Sequence, residues 1–239
     1  MKVQVHTLHG EKRGEIALGK AFSTPIREDI IRRAFLAESS LKRQIRGADP
    51  LAGKRTSAHY HGLRGYRWSM MNREMARMKR IHGQGFLNYT ARFVPQATKG
   101  RKAHPPKTEK NWEKKINNKE RIYALLSAIS ASAKGMVVVE DNFQELKKTK
   151  EVAAALEKLG IIFKEKKTIR SGKGTRRGRK YKRSRGPLII VAKDNKVPSP
   201  PGFDVKILKD LQVSDLAPGG NLGRVCIWTR SAAEEAGKL

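Results

Sequence analysis

Positive charge is gathered in two stretches of this chain, and that distribution limits what it can fold into. Between Lys42 and Lys110 stand 17 Lys and Arg against Asp49, Glu74 and Glu109, a net of +14. Between Lys164 and Gly186 stand 12 against Glu165 alone, a net of +11. The rest carries 23 basic and 18 acidic side chains, an ordinary balance for a folded domain. A total of +30 on 239 residues repels itself unless the cations lie apart in water or meet a polyanion. Two basic insertions in a nearly neutral body are therefore expected, with a polyanionic partner.

The body has material for a core, since 38% of the chain is hydrophobic; it is not a disordered tail. The longest apolar runs, Met136 to Val139 and Pro187 to Ala192, fall far short of the roughly 20 residues that span a bilayer, so no membrane partner is expected. Met1 to His6 alternates like a strand and lacks the apolar stretch of a signal peptide, which predicts a protein kept inside the cell. A single cysteine, Cys226, excludes intramolecular disulfides and cysteine-based zinc sites.

Periodicity predicts alternating helices and strands. Arg27 to Gln44 places Ile30, Ile31, Ala34, Phe35 and Leu41 on one helical stripe, expected to pack on a sheet. Asn117 and Glu120 have the spacing of a capping box, and Ile122, Tyr123, Leu125, Leu126 and Ile129 continue a helix to about Ala133. Gly135 stops it, and Met136–Val139 reads as a strand buried on both faces. Thr149 is expected to cap a helix carrying Val152, Ala155, Leu156 and Leu159; Gly160 ends it and Ile161 to Phe163 reads as a strand. Leu188 to Ala192, Val205 to Leu208 and Val225 to Thr229 are further strands, with short helices near Val213 to Leu216 and from Ser231. This alternation predicts an α/β fold: a mainly parallel sheet flanked by helices, with a long extended basic loop inserted after the first long helix. The expected division is a globular domain of residues 1–44 and 112–239, a loop of residues 45–111, and a basic insertion at 164–186.

The loop shows no sustained period and far exceeds the roughly 12 to 15 residues at which structureless connections become uncommon. It interleaves Arg64, Tyr66, Arg67 and Trp68 with Tyr60 and Tyr89, a mixture that pairs with phosphates and stacks on unpaired bases. Candidate RNA-contacting residues are Lys54, Arg55, His59, Tyr60, Arg64, Arg67, Trp68, Arg73, Arg77, Arg80, Arg92, Gln96, Lys99, Arg101, Lys102 and His104. The second basic stretch adds Lys173, Arg176, Arg177, Arg179 and Lys180. With this much like charge the loop is expected to stay unstructured until RNA neutralises it.

Other chemistries fit less well. Gly172-Lys173-Gly174-Thr175 lacks the earlier glycine and the hydroxyl after lysine that a phosphate loop requires. No GxGxxG follows the first strand, so no nucleotide cofactor is expected. His59, His61 and His82 have no cysteine or carboxylate beside them, and a metal role is the lesser reading. Cys226 sits in a buried-strand pattern, and Asp141 with Asn142 reads as a turn. Two rivals stay open: an RNA-modifying enzyme such as a methyltransferase, and a DNA-packing protein.

The stretches Asp49 to Thr56 and Val94 to Lys107 resemble the loop of the L-four family of large-subunit ribosomal proteins in its archaeal form. The likeness continues through Lys119-Glu120-Arg121, Ser127-Ala128-Ile129, Ile169 to Gly174, Arg177 to Tyr181, Leu216 to Gly220, Gly223-Arg224 and Ile227 to Thr229. The archaeal form is indicated because the long C-terminal extension of eukaryotic members is lacking. The resemblance implies a structural constituent of the large subunit, cytoplasmic and without enzymatic activity or cofactor. Its expected partners are large-subunit rRNA and neighbouring ribosomal proteins, and it would assist rRNA folding and assembly. It further implies that the loop lines the nascent-peptide exit tunnel and meets the nascent polypeptide at its tip. The tip would comprise His61, Leu63, Arg64, Gly65, Tyr66 and Arg67, with Leu63 where the family pattern has glycine.

Overall fold

A computed structural model describes residues 2–83, 85–163, 165–192 and 197–238; of the residues singled out above, Met1 and Lys164 lie outside them. The chain divides into two compact units, Met1–Lys42 with Glu113–Leu239, and Arg43–Trp112.

The first unit runs β1 (Lys2–His6), β2 (Lys12–Ala17), α1 (Glu28–Leu41), α2 (Asn118–Ser132), β3 (Met136–Val139) and α3 (Thr149–Lys158). It continues with β4 (Lys167–Ile169), β5 (Tyr181–Arg183), β6 (Leu188–Val191), β7 (Asp204–Ile207), α4 (Val213–Leu216), β8 (Cys226–Thr229) and α5 (Arg230–Ala236). Six strands form one sheet in the order β2-β1-β3-β8-β6-β7, while β4 and β5 make a separate two-stranded ribbon. Among the described residues of the larger sheet only β1–β2 is antiparallel. The result is the α/β architecture with a mainly parallel sheet, as expected.

Strand alternation sorts the core. Leu188, Ile190, Cys226 and Trp228 face one side, where Ile31, Ala34, Ala128 and Ala232 pack against them. Ile189, Val191 and Ile227 face the other, under Val152 and Leu156 of α3 and beside Phe143. Trp228 is wholly buried and meets the edge of Phe22 at 5.4 Å. Parallel strands covered on both faces read as near-continuous apolar runs, and Leu188–Val191 and Cys226–Thr229 are buried throughout, Thr229 being the polar member. Burial also raises the Cys226 thiol to about 11, so it is a core residue rather than a nucleophile.

Several expectations need correction. β2 was not anticipated: in Lys12–Ala17 only Ile16 is buried, because an edge strand has little apolar alternation to detect. Ile161 to Phe163 is not a strand, and Ile162 lies in solvent. Asn117 precedes α2 without a side-chain capping bond; Glu120 pairs instead with Arg33 of α1 at 3.2 Å. Thr149 begins α3 but Lys148 occupies the capping position. α1 lies closest to α2, α4 and the turn Pro218–Gly220, while its Ile31 and Ala34 share one apolar core with the sheet, as expected. Small residues allow α1 and α2 to approach, since Ala34 and Ala37 of α1 and Ala124, Ser127 and Ala128 of α2 are among the buried ones. Leu41 and Ile122, assigned to the core by their period, are 66% and 56% exposed.

Asp141 closes the carboxyl end of β3 as a structural residue. Its Oδ1 accepts from the Ser231 amide (2.9 Å), the Ser231 hydroxyl (2.6 Å) and the Gln144 amide (3.1 Å). It thereby holds the first turn of α5, consistent with the turn reading.

The segment expected as an extended loop, residues 45–111, falls within a compact unit with its own contacts, Arg43–Trp112. Short antiparallel bridges join His59 to Arg80 and Arg80 to Ala91, and backbone bonds tie Ile81 to Thr90 and Tyr89, and Arg92 to Lys79. Gly53 adopts φ +73°, and a Cβ there would collide with the Gly100 backbone; one on Gly100 would strike the Val94 carbonyl. The two stretches that carry the family resemblance are thus drawn together by backbones that only glycine allows so near.

The sheet core predicts a sharp contrast in stability. Ile190→Ala should lower the unfolding free energy by about 3 kcal/mol through the cavity it leaves, and Ile122→Ala by under about 0.5 kcal/mol. Chemical denaturation followed by circular dichroism measures both. Equal losses would contradict the assigned burial.

Candidate nucleic-acid interface

The interior of Arg43–Trp112 contains little aliphatic packing; Met70 and Ala58 are its buried apolar side chains. A chain of rings does the work instead. Tyr66 lies 4.6 Å from His61, His61 4.6 Å from His82, His82 5.2 Å from Trp68, and Trp68 5.6 Å from Tyr89, all between ring centroids. His59 flanks it, 6.2 Å from His61 and 6.3 Å from His82. Guanidinium groups cover the end: Arg67 lies 5.0 Å over Trp68 and Arg73 4.7 Å over Tyr89. An aromatic face attracts a cation, so this packing turns part of the positive charge into cohesion.

The arginines divide into two sets. Arg80 donates to the carbonyls of Tyr89 (2.8 Å) and Ala76 (2.9 Å), Arg92 to Thr98 (2.6 Å), and Arg73 to Arg67 (3.2 Å). Arg55 pairs with Asp49, whose carboxyl is held low chiefly by the Leu51 amide and, further, by that guanidinium. These four side chains are occupied in building the unit. Lys54, Arg64, Arg77, Lys99 and Lys102 are exposed and have no ion-pair partner among the described residues. Gln96 and His104 are likewise exposed, and Arg101 is half-buried. Tyr60 stands 44% exposed beside the stack.

The expected tip is a turn at Arg64-Gly65, with Gly65 at φ +72° in open space. Leu63 is 73% exposed while Tyr66 leans back on His61. Leu63 and Arg64 therefore present the freest side chains there.

In the other basic segment, β4 and β5 pair Lys167 with Arg183, Thr168 with Lys182, and Ile169 with Tyr181. Between them Gly172–Arg177 makes a 3-10 turn closed by Gly178 in the left-handed conformation. The Arg170 amide donates to the Lys180 carbonyl and its Nε to the Tyr181 carbonyl. Lys173, Arg176, Arg177, Arg179 and Lys180 are all exposed around this turn. The period-2 geometry puts Lys167, Ile169, Tyr181 and Arg183 on one ribbon face. Tyr181 and Arg183, inside the expected basic insertion, are not among the candidate RNA contacts; the alternation Tyr181-Lys182-Arg183 beyond Gly178 is the signal that could add them.

His59, His61 and His82 do come together, but no group of three His, Cys, Asp or Glu among the described residues is arranged to hold a metal ion. Both ring nitrogens of His82 are buried without a hydrogen-bond partner. Loss of water chiefly, then the charges of His61 and His59, holds His82 below 6.5.

The profile of the family described as "Ribosomal protein L4/L1 family" matches residues 16–238. The large ribosomal subunit protein uL4 of Methanocaldococcus jannaschii is 44% identical, covering 98% of this chain and 98% of that protein. The protein of the same name from Methanococcus aeolicus is 41% identical over 100% of this chain and 99% of its own length. That of Haloquadratum walsbyi is 39% identical, covering 98% of each.

The histidine stack makes this unit sensitive to acid. Because the folded pKa of His82 is depressed, unfolding takes up a proton, and stability present above about pH 6.5 falls as pH drops below it. Hydrogen exchange at the Ile81 and Tyr89 amides, corrected for intrinsic rate, should show protection declining from about pH 7 to about pH 5. In His82→Phe, which keeps a ring without the charge, the decline should shrink; an identical decline would refute the role of this imidazole.

Proposed function

Because the chain belongs to the Ribosomal protein L4/L1 family, we propose that it is a structural, non-enzymatic constituent of the large ribosomal subunit that binds large-subunit rRNA, assists its folding and lines the exit tunnel. The observation that carries this reading is the division of cations in Arg43–Trp112. Arg73, Arg80 and Arg92 are spent on the unit's own carbonyls, while Lys54, Arg64, Arg77, Lys99 and Lys102 stay exposed. The inner set fixes a shape, and the outer set offers that shape to phosphates. Base-specific readout has no part in such an arrangement; positioning by phosphate contacts does.

The ribbon at residues 165–186 supplies a second contact. Lys173, Arg176, Arg177 and Arg179 surround its turn, and Tyr181 offers an exposed ring for a ribose or an unpaired base. Asp141 and Cys226, the side chains nearest to catalytic types in the α/β body, are taken up by α5 and by the core. That favours the structural reading over an RNA-modifying enzyme. At the tip, Leu63 and Arg64 would face the nascent polypeptide, and the neighbours of the first unit would be other large-subunit proteins.

Neutralising phosphates releases counterions, so affinity for a large-subunit rRNA fragment should fall steeply with salt, with a slope of log K against log[salt] of about −3 or steeper. Replacing Arg64, Lys99 and Lys102 with Gln together should make the slope shallower by about 2. A slope shallower than about −3 for the unaltered chain, or no change in the triple variant, would overturn the electrostatic account. A photo-crosslinking phenylalanine at position 63 should capture nascent chains on translating ribosomes. Capture of rRNA alone would move the tunnel contact elsewhere.

A further inference from the structure

The first unit leaves an open groove of about 670 Å³ between the C-terminal end of α1, the first turns of α2 and the chain leading into α4. Its floor is apolar: Leu211 and Val213 are buried and Leu125 is half-buried. Leu41 and Ile122 form its walls, and these are the two side chains that helical period assigns to a core but that the fold leaves largely in water. Isolated exposed apolar residues are ordinary; Leu41 and Ile122 stand beside a buried apolar floor, so a partner that covered them would gain their burial.

Charge around the groove selects the occupant. Four cations line it, Lys42, Arg121, Lys206 and Lys209, against Glu38 and Asp210. The acid at its centre is already used, since Glu38 accepts the amides of Val213 (3.0 Å) and Ser214 (2.7 Å) and so binds α1 to α4. Lys42 reaches Gln212 at 3.0 Å and Lys206 pairs with Asp215 at 3.7 Å. The side chains of Arg121 and Lys209 have no hydrogen-bond or ion-pair partner among the described residues. The groove thus joins an apolar floor to two free cations.

We infer that this groove is a docking site for an acidic, amphipathic helical segment of a partner protein, lined by residues other than those proposed to bind RNA. Its apolar side chains, spaced three and four residues apart, would fill the space between Leu41, Ile122 and Leu125, as helices do in apolar grooves. Its carboxylates would meet Arg121 and Lys209. Nucleic acid fits poorly, because phosphates laid on Leu, Ile and Val would lose water without gaining donors. A second copy of this chain would bring another +30 against the same cations.

The test uses the full chain and a fluorescein-labelled synthetic helix of about 14 residues, four turns, with Leu on one face and Glu on the other. A scrambled peptide of identical composition has the same charge without the apolar face. In about 0.3 M salt, where surface attraction is screened, the amphipathic peptide should bind at least about tenfold more tightly than the scrambled one. Ile122→Ser should abolish that difference with an unchanged melting temperature, and Lys209→Glu should weaken binding of the amphipathic peptide. Equal binding of the two peptides would overturn the inference, as would an Ile122→Ser variant that still distinguishes them. Two further results would overturn it by naming another occupant. One is weaker binding of an rRNA fragment by Ile122→Ser; the other is self-association of the unaltered chain, seen in sedimentation and lost in that variant.

Discussion

Unbalanced positive charge is the constraint that organises this molecule. With 52 Lys and Arg against 22 Asp and Glu, most cations have no internal counterion available. The chain meets this in two ways. In the α/β unit, acids are spent at junctions between elements: Glu120 on Arg33, Glu38 on the α4 amides, Asp204 on Arg224 and Asp141 on the start of α5. In Arg43–Trp112, where acids are scarce, ring faces and backbone carbonyls take their place beneath Arg67, Arg73, Arg80 and Arg92. Both devices use partial or paired negative charge inside the fold and leave the remaining cations for a partner outside it.

The two units rest on different physics. The sheet is held by apolar burial on both faces, with Trp228, Ile189, Ile190 and Phe143 wholly excluded from water, and this is insensitive to mild acid. The ring stack is held by imidazole, indole and phenol contacts, and lost hydration with His61 and His59 nearby favours the neutral form of His82. A fold built this way gains shape without an aliphatic core, which suits a segment whose outer surface is given to charge. Close backbone approach at Gly53 and Gly100 completes it.

Burial on both faces made much of the sheet legible in the sequence. Met136–Val139, Leu188–Val191 and Cys226–Thr229 were readable because a doubly covered strand reads as a near-continuous apolar run. Edge strand β2 was not, since only Ile16 turns inward, and Ile161 to Phe163 misled because a short apolar run does not distinguish a strand from a connection. Leu41 and Ile122 show a different limit: period reports which residues share a face, not whether anything covers it. The ring stack was hidden because its members are separated by up to 28 positions, from His61 to Tyr89, with no period connecting them. Aromatic and guanidinium residues read as ligands for RNA; in the structure Trp68, Tyr89, Arg73 and Arg80 also make ring, cation and carbonyl contacts within the unit itself.

The central claim, that this chain is an integral component of the large ribosomal subunit, is tested most directly by fractionating native cell extract on a sucrose gradient after a high-salt wash. Quantitative mass spectrometry would follow the chain across the fractions. The account predicts co-migration with large subunits in near-stoichiometric amount. Recovery mainly in the soluble fraction at the top of the gradient would contradict it.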